Sequence, residues 1–160
     1  MNEWVGPPTD LFGNIISIKI NPDKSWNDEY WICEHRWKQI YNMVQFRFIV
    51  GDEPISNWWD NGDNQIAFSR GHSGFIAFNL QKSKKNTDNT GKNDNDNDQL
   101  DLRQRLQTGL PEGIYYDIIS GDHTGNKLIT VDQNGWADIY ISHDESDVVF
   151  ASHLKAKLSK

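Results

Sequence analysis

From residue 51 onward, short apolar runs alternate with turn signals, and this spacing constrains the fold more than any other feature of the sequence. The runs have the length and composition of strands. The Asn61-Gly62 pair before the first run and the Asn134-Gly135 pair between two later ones are typical of tight hairpin turns. Repeated short strands at this spacing predict a mainly β, antiparallel sandwich or barrel. The predicted strands lie at 65–69, 74–78, 114–119, 127–131, 136–141 and 148–152.

The segment before these strands has a different period. It opens with a turn-rich loop at 6–10, and alternating apolar residues at 15–20 predict a short strand. Across 33–48, apolar residues recur every three or four positions, which predicts one amphipathic helix ending near Gly51. The apolar face of that helix comprises Cys33, Trp37, Ile40, Tyr41, Val44 and Phe48.

A polar stretch at about residues 80–100 interrupts the predicted strands. It has almost no apolar residues after Leu80, so it cannot offset its own ordering entropy, and we predict a disordered surface insertion. Its alternating aspartates at 94–98 resemble the first half of an EF-hand loop. However, Gln99 and Arg105 stand where that loop needs Gly and Glu, which favours a solvated linker.

Charge and cysteine content exclude several classes of protein. The chain has 16 Lys and Arg against 23 Asp and Glu, a formal net charge of −7, which argues against binding to a nucleic-acid backbone. A single Cys cannot form an internal disulfide. No apolar run approaches the roughly 20 residues of a membrane span. Residues 1–9 are polar and contain proline, unlike a signal peptide.

Two short segments contain groups found in metal or catalytic sites. Cys33, Glu34 and His35 are potential metal ligands, but no second cluster follows at ligand spacing, which favours packing of Cys33 and exposure of His35. The segment 69–74 contains Ser, Arg and His, yet strand patterns on both sides indicate a hairpin loop. Since no Gly-x-Ser-x-Gly pattern occurs either, the residues themselves predict no catalytic constellation.

Aromatic residues make up 12% of the chain and include seven Trp, and this excess of Trp favours contacts with sugars or with protein partners. Trp58 and Trp59 are adjacent and form one candidate sugar contact. Neighbouring strand residues point to opposite faces, so we expect one of them in the core and the other on the surface. The wider pool for an aromatic platform also includes Tyr115, Tyr116 and Trp136.

Several strings of residues, taken in order, carry more information than their composition. They are NEWVGPPTD (2–10), INPD (20–23), CEHRWKQI (33–40), NMV (42–44), NWWDNG (57–62), FSRG (68–71), GFIAFN (74–79), LQTGLP (106–111) and DIISGD (117–122). In this order they resemble the C-terminal third of animal-type alpha-amylases, which are starch-cleaving glycoside hydrolases.

This resemblance implies a specific layout. The family has a catalytic (β/α)₈ barrel followed by a C-terminal Greek-key β-sandwich. Residues 1–50 would be the remnant of the barrel, with its last loop and last helix, and residues 51–160 would be the sandwich. The resemblance also implies retaining hydrolysis of α-1,4-glucan in starch or glycogen by the full-length enzyme. Its catalytic Asp and Glu residues, its calcium and its chloride would all lie upstream of Met1.

No catalytic, cofactor-binding or metal-binding residue is therefore expected in this chain. We expect the chain to be inactive alone and its sandwich to be structural, with the missing barrel as its packing partner and no nucleic-acid or membrane partner. A stand-alone carbohydrate-binding module derived from an amylase is the alternative. The weak candidates for peripheral sugar contact are Trp4, Asp10, Trp58 and Trp59. The full-length family is typically extracellular.

The resemblance also implies two lost disulfides. Cys33 would pair with a cysteine that is absent from 26–28, and Tyr116 stands where a second bridge would begin, its partner missing near 123–127. Each missing bridge is expected to lower stability by roughly 2–4 kcal/mol. Without a barrel, the apolar face of the helix should be exposed or docked on the sandwich, and exposure predicts self-association.

Overall fold

The computed structural model describes residues 6–21, 30–81, 100–120 and 127–159. A short 3-10 turn, Glu34–Arg36, precedes helix α1, Lys38–Val50. No described helix is long and apolar enough to cross a bilayer. The strands are β1 (Ile55–Asp60), β2 (Gln65–Arg70), β3 (Gly74–Asn79), β4 (Leu102–Gln107), β5 (Gly113–Tyr116), β6 (Leu128–Val131), β7 (Trp136–Ile141) and β8 (Val149–His153).

All of these strands pair antiparallel. One sheet has the order β1-β2-β3-β8, and the remaining strands pair as β4–β7 and β5–β6. Inward-facing residues from both groups of strands meet in one core, where the rings of Phe75 and Phe150 lie 6.4 Å apart. The predicted mainly β, antiparallel sandwich is therefore confirmed.

Helix α1 packs on the outer face of the four-stranded sheet. Phe46 and Val50 form a second apolar cluster with Ile76 and Ala151 of that sheet. Gly74 makes this close approach possible, since a Cβ there would lie 2.5 Å from Cγ1 of Val50. Both faces of this sheet are therefore apolar, and the helix covers part of the outer one.

Several predicted elements differ from the structure at their ends. The α-helix begins at Lys38 rather than Cys33, because Trp37 is extended (φ −58°, ψ 134°). The strand predicted at 114–119 ends at Tyr116, because the Asp117 carboxylate accepts hydrogen bonds from the backbone nitrogens of Ile119 and Ser120 and closes a turn.

The strand predicted at 15–20 is wrong. Within the described residues, the segment has only isolated bridge residues, Ile15 (with Thr9) and Ile20, and no neighbouring strand pairs along it. Alternating apolar residues need such a partner to form a sheet. The predicted insertion at about 80–100 and its aspartate run fall almost entirely on 82–99, which lie outside the described residues.

Candidate functional site

A β-bulge in strand β1 decides which of the two adjacent tryptophans reaches the surface. Ser56 pairs with Ser69 and Trp59 pairs with Ala67, so two residues of β1 lie opposite the single residue Phe68. The bulge contains Asn57, which has φ +51°, a conformation that Asn tolerates better than most residues. Trp59 consequently faces the core and Trp58 faces outward.

Trp58 is held rigidly although 56% of it is exposed. Its ring stacks on that of Phe68 at 5.8 Å and 12°, and Phe68 stacks in turn on Phe78 at 6.5 Å and 27°. Its indole Nε1 donates to Oδ2 of Asp60 at 2.8 Å. Because Phe68 covers one face of the indole, the exposed surface of the ring lies on its opposite face.

The other members of the aromatic pool do not join Trp58 in one platform. Tyr115 is fully buried and donates its hydroxyl to the Pro111 carbonyl, and Tyr116 is half-buried against the second apolar cluster. Trp136 is 41% exposed, but it lies on β7, which is not in the sheet of Trp58. Trp59 packs against the main core. The expectation of one tryptophan inside and one outside is confirmed.

Asp10 forms a local turn rather than part of a cluster. Its carboxylate accepts hydrogen bonds from the backbone nitrogens of Phe12 and Asn14 and from the Asn14 side chain. These bonds, led by that of the Asn14 side chain, lower the pKa of Asp10. Trp4, the other candidate from this loop, lies outside the described residues.

Helix α1 exposes most of the apolar face that the sequence predicts. Phe48 is 81% exposed, whereas Cys33, at the N-terminal end of the pattern, is buried. A groove of about 540 Å³ runs between this helix and the sheet, lined mainly by apolar side chains, and a hydrogen bond from Gln39 to Asp147 crosses its rim. The other exposed apolar residues of this face are Trp37, Ile40, Tyr41 and Val44.

The segments that resembled metal or catalytic sites form a short 3-10 turn and a hairpin. Cys33 is buried while Glu34 and His35 are exposed. No group of three or more His, Cys, Asp or Glu able to hold a metal ion occurs among the residues that the structure describes. The segment 69–74 is the predicted hairpin between β2 and β3, where buried Ser69 donates to the Gln107 carbonyl.

One polar cluster in the structure was not predicted from the sequence. The buried carboxylate of Asp101 accepts hydrogen bonds from the ring and backbone of His143 and from Arg103 and Tyr140. Although burial alone would raise its pKa, these bonds hold the pKa of Asp101 well below its usual range. The cluster ties the end of β7 to the start of β4. Tyr140 and His143 lie about 40 positions from Asp101, so no local pattern could have revealed these two contacts.

His153 is a buried titratable group where β8 meets helix α1. It is 2% exposed, its Nδ1 has no hydrogen-bond partner, and its ring lies 6.4 Å from that of Phe46. Burial lowers the pKa of His153, and the nearby charge of Lys155 adds to this effect. The folded state therefore favours the neutral imidazole.

We expect acid to destabilise the fold through His153. In the unfolded chain His153 takes up a proton near pH 6.5. In the folded chain it stays neutral until the pH falls to its lower pKa. The free energy of unfolding should therefore be largest above pH 6.5 and fall below it, by at most about 1.4 kcal/mol per pH unit for this group. In urea titrations between pH 7.5 and 5, the free energy of unfolding of His153→Phe should depend less steeply on pH than that of the unmodified chain. The control His35→Gln, at an exposed position, should retain the slope of the unmodified chain.

These features define a class of domain: an antiparallel sandwich carrying a helix with an exposed apolar face, whose described polar groups mainly serve turns and loops. A family model described as "Alpha amylase, C-terminal all-beta domain" matches residues 56–94 and 95–155. The chain belongs to this family, and the resemblance seen in the sequence is confirmed.

Individual relatives agree with the family model. The chain is 54% identical to the alpha-amylase of Dermatophagoides pteronyssinus over 99% of this chain and 29% of that protein. It is 44% identical to the pancreatic alpha-amylase of Rattus norvegicus over 99% of this chain and 28% of the relative. A solved structure of mutant alpha-amylase I from Eisenia fetida with maltohexaose matches 96% of this chain and 28% of its own, with a TM-score of 0.69 and 34% identity. The chain thus spans less than a third of these relatives.

Proposed function

We propose that this chain is the C-terminal part of an alpha-amylase that hydrolyses the α-1,4 bonds of starch or glycogen with retention of configuration. Family membership and relatives more than three times as long support this proposal. Retaining hydrolysis needs a carboxylate nucleophile and a carboxylic acid/base on either side of the bond. From the resemblance, we infer that both groups lie upstream of residue 1. The chain alone is therefore inactive, and its sandwich serves a structural role.

The exposed apolar face of helix α1 is the observation that carries this proposal. A contiguous apolar patch on a folded domain marks a surface that another protein element covers. The groove beside the helix extends this patch from Met43 of the helix onto Ile76 and Phe78 of the sheet. We assign this surface to the catalytic barrel of the same enzyme, with residues 1–50 as the end of that barrel.

Calcium and chloride are expected for the complete enzyme, as the resemblance implies. The described residues do not fit a calcium site, because they offer no cluster of three carboxylate or other ligand side chains. No step of catalysis is therefore assigned to a metal held by this chain. Secretion of the complete enzyme is a further part of the proposal, and its appearance in the extracellular medium would test it.

A chimera tests the proposed role. This chain would replace the matching C-terminal part of the Dermatophagoides alpha-amylase, to which it is 54% identical. We expect the chimera to hydrolyse soluble starch in a reducing-sugar assay, whereas the chain alone does not. The double variant Ile40→Lys/Val44→Lys should lower the yield of folded chimera at least tenfold, because two charges would be buried against the barrel.

The matched control replaces an exposed apolar residue away from the helix. Leu128 on β6 is exposed, and Leu128→Lys should leave the chimera's yield and activity unchanged. Equal behaviour of the helix variant and the control would show that the barrel does not cover α1. Starch hydrolysis by the chain alone would contradict the assignment of the catalytic groups.

A stand-alone carbohydrate-binding module is the second candidate, and the rigid, exposed indole of Trp58 is the observation that favours it. Such a module would bind glucan but would not support the activity of a chimera.

A further inference from the structure

Trp58 is placed at the accessible edge of the sandwich. Strand β1 is the edge strand of the four-stranded sheet, and the stacked rings of Trp58, Phe68 and Phe78 cross three strands on its outer face. The inner end of this row, Phe78, lies beside helix α1, and the outer end is the exposed indole. The row therefore ends in a flat apolar surface at the margin of the domain.

The indole is fixed before any ligand arrives. Stacking on Phe68 sets the plane of the ring, and the bond from Nε1 to Asp60 sets its rotation. Asp60 is itself held by the backbone nitrogen of Gly62, which donates to its other oxygen at 3.0 Å. A side chain ordered in advance loses little conformational freedom when it binds, which favours even a weak ligand.

One carboxylate contacts this ring and a second follows it closely in the chain. The carboxylate of Asp60 lies against the indole, and Asp63 follows in the same turn, where it accepts a hydrogen bond from Gln81. Carboxylates have more lone pairs than these bonds use. Asp60 against the ring and Asp63 in the following turn, on a chain of net charge −7, disfavour phosphates and acidic polymers. A neutral ligand with an apolar face and hydroxyl donors fits this surface.

The geometry points to a surface-binding site for a neutral α-glucan chain, with a pyranose ring stacked on the free face of Trp58 and its hydroxyls donating to Asp60 and Asp63. This inference rests on the proposed function for the identity of the sugar. The site holds the polymer near the enzyme and takes no part in bond cleavage. It differs from the exposed face of α1, which is assigned to the barrel.

Binding of maltoheptaose to the 160-residue chain tests this site. The indole NH of Trp58 gives one NMR resonance, identified by its loss in Trp58→Ala, and millimolar maltoheptaose should shift it. In affinity electrophoresis through amylopectin, Trp58→Ala should bind at least about tenfold more weakly than the unmodified chain. Trp58→Tyr should bind better than Trp58→Ala, because it keeps an aromatic face.

The matched control is Trp136→Ala, which removes an exposed tryptophan from the other group of strands and should leave binding unchanged. Equal retardation of the Trp58→Ala variant and the unmodified chain would overturn the proposal, as would no shift with maltoheptaose. Cellohexaose, a neutral β-glucan of similar size, should bind more weakly. Equal binding of the two sugars would overturn the assignment to α-glucan.

The chimera separates this inference from the proposed function. Trp58→Ala should reduce adsorption to starch granules while leaving kcat/KM on soluble maltooligosaccharides unchanged. An active chimera whose adsorption does not depend on Trp58 would refute the site and leave the amylase assignment standing. If the chimera is inactive while the chain still binds maltoheptaose through Trp58, the site would stand and the amylase assignment would be refuted. A large loss of folded chimera on Trp58→Ala would show that the barrel covers the ring, and would also overturn the site.

Discussion

Phe46→Ala is expected to lower the free energy of unfolding by about 3 kcal/mol, whereas Phe48→Ala should change it by less than about 0.5 kcal/mol. The two residues lie two positions apart on helix α1, but Phe46 is 4% exposed and Phe48 is 81% exposed. Truncating Phe46 leaves a cavity between the helix and the sheet, where its ring packs with Val50 and Ile76. Urea unfolding of the 160-residue chain, followed by circular dichroism, measures both changes.

The same comparison can be made in the chimera. If a barrel covers the exposed face, Phe48→Ala should destabilise the chimera although it leaves the chain alone unaffected. Equal destabilisation of the isolated chain by both substitutions would mean that the helix docks through a different face. Circular dichroism of Phe46→Ala without urea would show whether the variant keeps its sheet, so that loss of the helix contact is distinguished from failure to fold.

Gly109→Ala is expected to cost about 3 kcal/mol or more, against about 1 kcal/mol for Gly62→Ala. Both glycines have a left-handed backbone, with φ +70° at Gly109 and +76° at Gly62. They differ in their surroundings, because a Cβ on Gly109 would lie 2.4 Å from the carbonyl oxygen of Gly71 while one on Gly62 meets nothing within 4 Å. A backbone carbonyl cannot move aside as a flexible side chain can.

Thermal unfolding of the two variants, monitored by tryptophan fluorescence, measures the difference. Gly62→Ala isolates the strain of the left-handed conformation, so the extra loss in Gly109→Ala reports the close approach of the two loops. If Gly109→Ala is too unstable to purify, its recovery in the soluble fraction relative to Gly62→Ala gives the same ranking. Equal melting temperatures would show that the loop at Gly71 can yield.

Strands that are flanked by turn residues in the sequence could be predicted with their boundaries. The strand predicted at 136–141 matches β7 at both ends, because Ala137, Ile139 and Ile141 recur at every second position and the Asn134-Gly135 turn precedes it. The hairpin at Asn61-Gly62 is also confirmed. The segment 15–20 shows that alternation alone does not define a strand. Alternation describes a strand that pairs along its length, and within the described residues this segment forms only isolated bridges.

The sequence could place one of Trp58 and Trp59 on the surface, but it could not say which. A regular β1 starting with Ser56 facing inward would have turned Trp58 into the core and Trp59 outward. The extra residue at Asn57 reverses that choice, and a bulge of this kind depends on the pairing with β2. The candidate glucan site therefore follows from a register that only the folded sheet defines.

The sequence by itself determined the class of the fold, the helix before it and the family, because strand period, helix period and turn residues are local signals. It also predicted an apolar helix face, which is exposed from Trp37 to Phe48. Only the tertiary structure decided that Phe46 and Val50 dock on the sheet, that Asp101 and His143 meet, and that Trp58 ends a stacked row. Each of these depends on groups far apart in the chain, which packing brings together and no local pattern records.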